Sequence, residues 1–306
     1  MRKLIILLNI FALPLYLSAQ QNPVTPLFHG TQFGWNPGMT ASWNYLEANA
    51  TYTQQFAGFD QAPNQISLGI QYPFESLNMG VGLQLLRDET GPLQQTGVHF
   101  AYAYHIPLGY NHRLSVGISA RISQLRYDPS EELAVDPTDP LLSGGIANAQ
   151  HYNLSAGAFY RTADMDDWTN SHFFAGLSVQ QAIPQDLLLV EDISSINFRR
   201  EWHAFALAGY RFDLEGAFIE PSLQLDYAFE NVFLPRFNII FEMEQAFWAG
   251  LSMDGSFSAS LQLGYIINTG NFWDIRLGAF ASRNVNQQSF NLGNSYGLIA
   301  AYRFEL

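Results

Sequence analysis

From Ala48 onward, apolar positions alternate with small or polar ones. In "GVGLQLL", Val81, Leu83 and Leu85 share one face, opposite Gly80, Gly82 and Gln84. In "GVHFAYAYHIP", Val98, Phe100, Tyr102, Tyr104 and Ile106 lie opposite Gly97, His99, Ala101, Ala103 and His105. "RLSVGISARIS" sets Leu114, Val116, Ile118, Ala120 and Ile122 against Ser115, Gly117, Ser119, Arg121 and Ser123. "FSASLQLGYII" and the terminal "SYGLIAAYRFEL" repeat the pattern. Period two is the signature of a strand with different solvents on its two faces.

A soluble sandwich alternates too, so other features decide. The runs often reach ten residues, as a tilted membrane strand requires, whereas soluble strands run to about 5 or 6. The second face is mostly Gly, Ser, Ala and Gln, with isolated Arg or His, where a water-facing sheet carries Lys, Glu and Thr.

The pattern predicts about fourteen strands, near 47–56, 64–72, 79–87, 94–106, 112–126, 151–161, 172–180, 201–212, 217–227, 236–243, 246–253, 256–267, 272–282 and 295–306. Long connections (127–150, 181–200, 228–235, 283–294) all follow odd strands. Those after even strands are short, the longest being 162–171. Outer-membrane barrels alternate short periplasmic turns with long external loops in this way. The fold class expected is all-β: a transmembrane antiparallel β-barrel whose last strand pairs with the first and leaves no edge. The terminal strand also resembles the sorting signal of such barrels.

The first residues change the picture. "MRKLIILLNIFALPLYLSAQQ" has a basic start, an apolar stretch from Leu4 to Leu17, and the small pair Ser18-Ala19. It reads as a secretory signal peptide over 1–19, since the stretch is short for a membrane anchor, which needs about 20 apolar residues. Residues 20–46, with Pro23, Pro26 and Pro37, read as an irregular periplasmic segment or plug, and 47–306 as the barrel. The chain has no Cys, so disulfides and cysteine metal sites are excluded.

The chain carries 14 Lys+Arg and 27 Asp+Glu. Without the leader's Arg2 and Lys3, 12 basic residues face 27 acidic ones. That excess of acid argues against nucleic acid, whose phosphates need basic patches. Aromatics at 15% beside charges at only 13% point to strands facing lipid.

One stretch is more specific. "YTQQFAGFDQAPNQISLGIQYP" resembles the PorP/SprF family of type IX secretion outer-membrane proteins, whose first strand runs into a Gln-Trp-x-Gly-Phe-Asp-Gly-Ala-Pro-like turn. The matching positions are Gln55, Phe56, Gly58, Phe59, Asp60, Gln61, Ala62 and Pro63. Phe56 stands where the family usually has Trp, and Gln61 where it usually has Gly. "NPGMT" from Asn36 resembles the family's early Asn-Pro-Ala segment, and "GVGLQLLRDETGPLQQTGVHFAYAYHIPL", with Asp88 and Gly91, its next hairpin. "RLSVGISARISQLRYD", "DPTDPLL", "FFAGLSV", "FWAGLSM" and "YRF" match in style, so the resemblance spans nearly the whole chain. It implies an outer-membrane location and a role in protein export and surface display in a Bacteroidetes-type bacterium. The implied partners are the type IX machinery and a large secreted or surface protein. The family-motif residues singled out for partner binding are Phe56, Gly58, Phe59, Asp60, Pro63, Asp88 and Asp128.

Other candidate chemistry is thinner. His99 and His105 share the inward face of one strand, but six residues put them roughly 20 Å apart, so they read as lumen-lining groups rather than ligands of one metal. "YDPSEELAVDPTDP" gathers Asp128, Glu131, Glu132, Asp136 and Asp139. It offers calcium ligands without an EF-hand spacing and reads as a solvated external loop. Asp60 reads as a turn cap or a docking group. Arg121, Arg126, Arg211 and Arg276 read as members of charged lumen pairs, with a selectivity filter as the alternative. Ser119 and His99 come near each other across two strands, yet no nucleophile motif surrounds them. No enzyme, cofactor or metal is expected. Loops 127–150 and 181–200, the latter containing "LLLVEDI", are the expected contact regions. The competing readings are a transport channel for small or hydrophobic solutes, similar to the FadL type, and a purely structural barrel.

Overall fold

The computed structural model describes residues 32–128, 146–163, 170–188, 197–228, 232–243, 246–268, 272–285 and 293–306. The strands are β1 (Tyr45–Ala57), β2 (Asn64–Phe74), β3 (Met79–Thr90), β4 (Leu93–Pro107), β5 (Arg113–Tyr127), β6 (Ala147–Arg161), β7 (His172–Gln180), β8 (Gln185–Leu188), β9 (Asn197–Arg200), β10 (His203–Asp213), β11 (Ala217–Ala228), β12 (Val232–Met243), β13 (Phe247–Asp254), β14 (Ser258–Asn268), β15 (Trp273–Asn284) and β16 (Asn294–Glu305). Fourteen of them close an antiparallel barrel, while β8 and β9 form a separate hairpin between β7 and β10. The closing seam pairs β1 with β16, from Tyr45↔Glu305 to Gln54↔Tyr296. The terminal strand therefore leaves no unpaired edge.

Burial alternates as period two dictates. On β5, Ser115, Gly117, Ser119 and Ser123 face inward, while Val116, Ile118, Ala120 and Ile122 face outward. Outward Leu177 is 66% exposed and Ile118 64%. Such continuous apolar surface is stable only against lipid. Outward aromatics gather at the short-turn end, where Tyr72 meets Phe74, Tyr210 meets Phe212 and Trp273 meets Tyr302. Rings in that position form the girdle that barrels place at the membrane surface.

Two expectations are corrected. The connection expected at 228–235 is only 229–231, because β12 starts at Val232. The strand includes Pro235. Its carbonyl accepts from the Gly255 amide at 2.7 Å, so the side of the strand lacking an N–H faces the turn after β13. That position lies past the last β12–β13 pair, Arg236↔Asp254, and no ladder bond is lost. Arg126, expected in the lumen, has outward parity. It pairs with Asp128 at 2.9 Å at the end of β5, where the apolar band gives way to the polar Gln124 and Arg126.

The lumen holds much of its own filling. Two 3-10 turns, Gln32–Gly34 and Pro37–Met39, lie against the inner wall. Asn36 caps the second by accepting from the Gly38 amide at 2.9 Å and donates to the Ala158 carbonyl at 3.0 Å. Gln180 donates to Gly34 O at 2.6 Å, Ser178 to Trp35 O at 2.8 Å, and the Ala41 amide to Gln71 Oε1 at 2.7 Å. Trp248, Ile266, Phe280 and Ile299 pack an apolar cluster on the opposite wall. Between the two lie ion pairs. Arg303 donates to Glu47 at 2.6 Å across the closing seam. Arg276 reaches Glu242 at 2.7 Å and Asp274 at 3.3 Å, and Arg211 meets Glu220. Glu47, Arg303, Arg211, Glu220, Glu242 and Met39 help to line a cavity of about 40 Å³.

Candidate functional site

The turn after β1 is built by a bulge. The β1–β16 register slips by one residue between Gln54 and Ala57. The extra residue is taken up at Phe56, whose φ is +48°, as bulges with a left-handed residue do. Gly58 at φ +107° and Gln61 at φ +57° complete the reversal. The turn is tied on every side. Gln55 N donates to Pro63 O at 2.8 Å, Phe59 N to Phe56 O at 3.3 Å, and Gly91 N to Gln61 O at 3.2 Å. Phe56 N donates to Ser295 Oγ at 3.3 Å. The motif thus joins the first, second and last strands to the β3–β4 turn. Phe56 and Phe59 project from it, 40% and 54% exposed. Asp60 is exposed and, among the described residues, makes no hydrogen bond or ion pair. The turn-cap reading of Asp60 is therefore corrected: the backbone bonds and the bulge hold the turn without it.

Asp88 lies at the same end, facing inward opposite Gln95. Thr90 donates to it at 3.3 Å. Arg200, from the β8–β9 hairpin, donates to Gln95 Oε1. Burial lowers the pKa of its guanidinium, and the nearby Asp88 carboxylate opposes that shift. The hairpin is thereby anchored over the β3–β4 side of the mouth. The Asp128 amide donates to Pro92 O at 2.9 Å, and its carboxylate holds Arg126. All seven singled-out residues thus sit at the end carrying the connections after odd strands. Phe56, Gly58, Phe59, Asp60 and Pro63 form one turn, and the β3–β4 turn links it to Asp88 and Asp128. Sequence reading missed Arg200 and the bulge. Gln61 in a glycine position was the available signal for a left-handed residue.

His99 and His105 are both buried and inward, and His105 Nδ1 lies 2.7 Å from Ser115 Oγ. Ser119 sits opposite Ala101, and His99 opposite Arg121. Arg211 and Arg276 form lumen ion pairs. Of the acidic loop, Glu131, Glu132, Asp136 and Asp139 lie outside the described residues, as do 189–193 of "LLLVEDI".

A family model for the type IX secretion system membrane protein PorP/SprF matches residues 17–302. The chain belongs to the PorP/SprF family. No curated protein matches it. Among solved structures, this PorP/SprF chain is similar to a TodX deltaS2S3 mutant monoaromatic hydrocarbon channel, with a TM-score of 0.57 at 10% identity, covering 92% of this chain and 95% of that one. The CymD monoaromatic hydrocarbon channel gives 0.54 at 10% identity over 91% and 93%. A Pseudomonas aeruginosa FadL homologue gives 0.52 at 10% over 88% and 92%. At such identities the likeness is one of fold. Together with the lipid-facing strands, it makes this PorP/SprF protein an outer-membrane β-barrel of the type IX secretion system.

Proposed function

We propose that this PorP/SprF barrel assists the export or surface attachment of a partner protein. It does so by binding at the long-connection end, and it catalyses no covalent step. The observation carrying this reading is the motif turn itself. Its backbone is spent on holding the barrel seam, while Phe59 and Asp60 stand exposed at the same mouth as the anchored hairpin. Rigid scaffolds that present exposed aromatic and charged loop residues are a common way to build a binding surface. The filled lumen also favours a working surface at the mouth over one inside the barrel.

Photo-crosslinking tests this. A crosslinker at Asp60 or Asp186 is expected to capture an exported polypeptide in intact cells. One at Tyr110, on a short turn and 97% exposed, is expected not to capture it. Capture of that polypeptide from Tyr110 alone would contradict the reading.

The alternative is a channel for small or hydrophobic solutes, favoured by the fold shared with TodX and CymD. Against it stand the N-terminal segment and the Trp248 cluster, which occupy much of the lumen. A solute-uptake defect on gene deletion, with export intact, would favour the channel.

A further inference from the structure

Three lumen arginines hold carboxylates: Arg211 with Glu220, Arg276 with Glu242, and Arg303 with Glu47. Arg121 differs. It faces inward from β5 and is half-buried. Among the described residues it makes no hydrogen bond or ion pair. Among the described residues, the charged or titratable groups coupled to it are Arg200, His99 and His151, none of them acidic. A guanidinium out of bulk water and without a counter-charge is costly.

Its neighbours carry unused hydrogen-bonding capacity. The register sets His99, Arg121 and Asn153 side by side on β4, β5 and β6, with Ser123 and His151 one inward step nearer the mouth. These four neighbours are only 2–6% exposed, yet His99 Nδ1, Ser123 Oγ, His151 Nδ1 and Asn153 Oδ1 have no hydrogen-bond partner among the described residues. Two contacts flank this group. Phe33 of the N-terminal segment stacks on His99 with ring centres 6.1 Å apart. Arg200 reaches in from the hairpin to Gln95. Among the described residues, Asp88 lies near Arg200 and is engaged by Thr90 and Arg200.

We propose that this part of the lumen binds one oxyanion, a carboxylate or an inorganic oxyanion, with Arg121 as its principal contact. The planar guanidinium fork matches two oxygens of such a group, and the flanking His and Ser side chains supply further donors. The anion would supply the counter-charge that no described residue provides. The source is either a free solute or the carboxylate of a polypeptide entering from the mouth.

The test uses the purified full chain in detergent and does not depend on the export reading. Unfolding temperature is followed against sodium sulfate, sodium acetate and sodium chloride at equal ionic strength. It is also followed against one short peptide with a free and with an amidated C-terminus. Saturable stabilisation by sulfate or acetate beyond chloride is expected if the source is a solute. Stabilisation by the free-acid peptide alone is expected if it is a polypeptide. Arg121→Met is expected to weaken the effect at least tenfold, while Arg87→Gln on the outer rim leaves it unchanged. In anion-free buffer Arg121→Met is expected to unfold at a higher temperature, because the unpaired charge is gone. That rise separates the variant from one that merely folds badly. Equal stabilisation of wild type and Arg121→Met, no stabilisation by any anion, or a lower unfolding temperature for Arg121→Met in anion-free buffer would overturn the proposal.

Discussion

At the residue scale, Gln61 shows how a family turn tolerates an unfavourable side chain. Its backbone is left-handed, φ +57°, a region glycine enters freely and other residues enter at a cost. The turn keeps it there because Gln61 O accepts from Gly91 N and the neighbouring strands fix both ends. Gln61→Gly is expected to stabilise the barrel by roughly 0.5–1 kcal/mol, seen as a higher midpoint in urea with an unchanged slope. Glu47 behaves oppositely. It is 1% exposed and shares its carboxylate between Arg303 across the seam and Gln71 at 3.2 Å. Glu47→Ala takes from the buried Arg303 guanidinium its hydrogen-bonded carboxylate and is expected to cost about 3–5 kcal/mol. Adding Arg303→Met is expected to recover part of that loss, which a double-mutant cycle on heat-modified gel mobility would measure.

At the element scale, the strands were legible because each has two unlike faces. Period two marks such strands wherever the run is long, as in β4 and β5, both 15 residues. What was not legible has local causes. Pro235 disguised the start of β12, because a sequence does not reveal on which side a missing N–H falls. Arg126 has the parity of the lipid face, yet its charge suggested the lumen; its distance from the strand end decides. The bulge at Phe56 depends on its partner strand some 240 residues away, beyond the reach of local pattern. The hairpin's Arg200 needed the barrel's curvature to bring it over Asp88.

The N-terminal segment is held by small residues on the wall. A Cβ on Gly117 would strike the Pro37 carbonyl, and one on Gly38 would press on the Ala158 backbone at 3.0 Å. Gly117→Val is expected to push residues 36–40 off the wall while leaving the barrel folded. A cysteine placed at Met39 would then label faster with a water-soluble maleimide, where the parent remains protected. Equal labelling in both would mean that the segment is held by other contacts.

At the scale of the whole molecule, three facts combine. Continuous outward apolar faces and an aromatic girdle put the barrel in the outer membrane. The seam, the N-terminal segment and the ion pairs give it a filled interior. The family motif and the anchored hairpin gather at one mouth. These features support the proposed role of holding or guiding another protein at the membrane surface. The quantitative surface and secreted proteome of cells with and without this gene tests that role most directly. Loss of one large exported protein, or of a small set, with the outer membrane otherwise intact, is the expected result. A proteome unchanged by the deletion would contradict it.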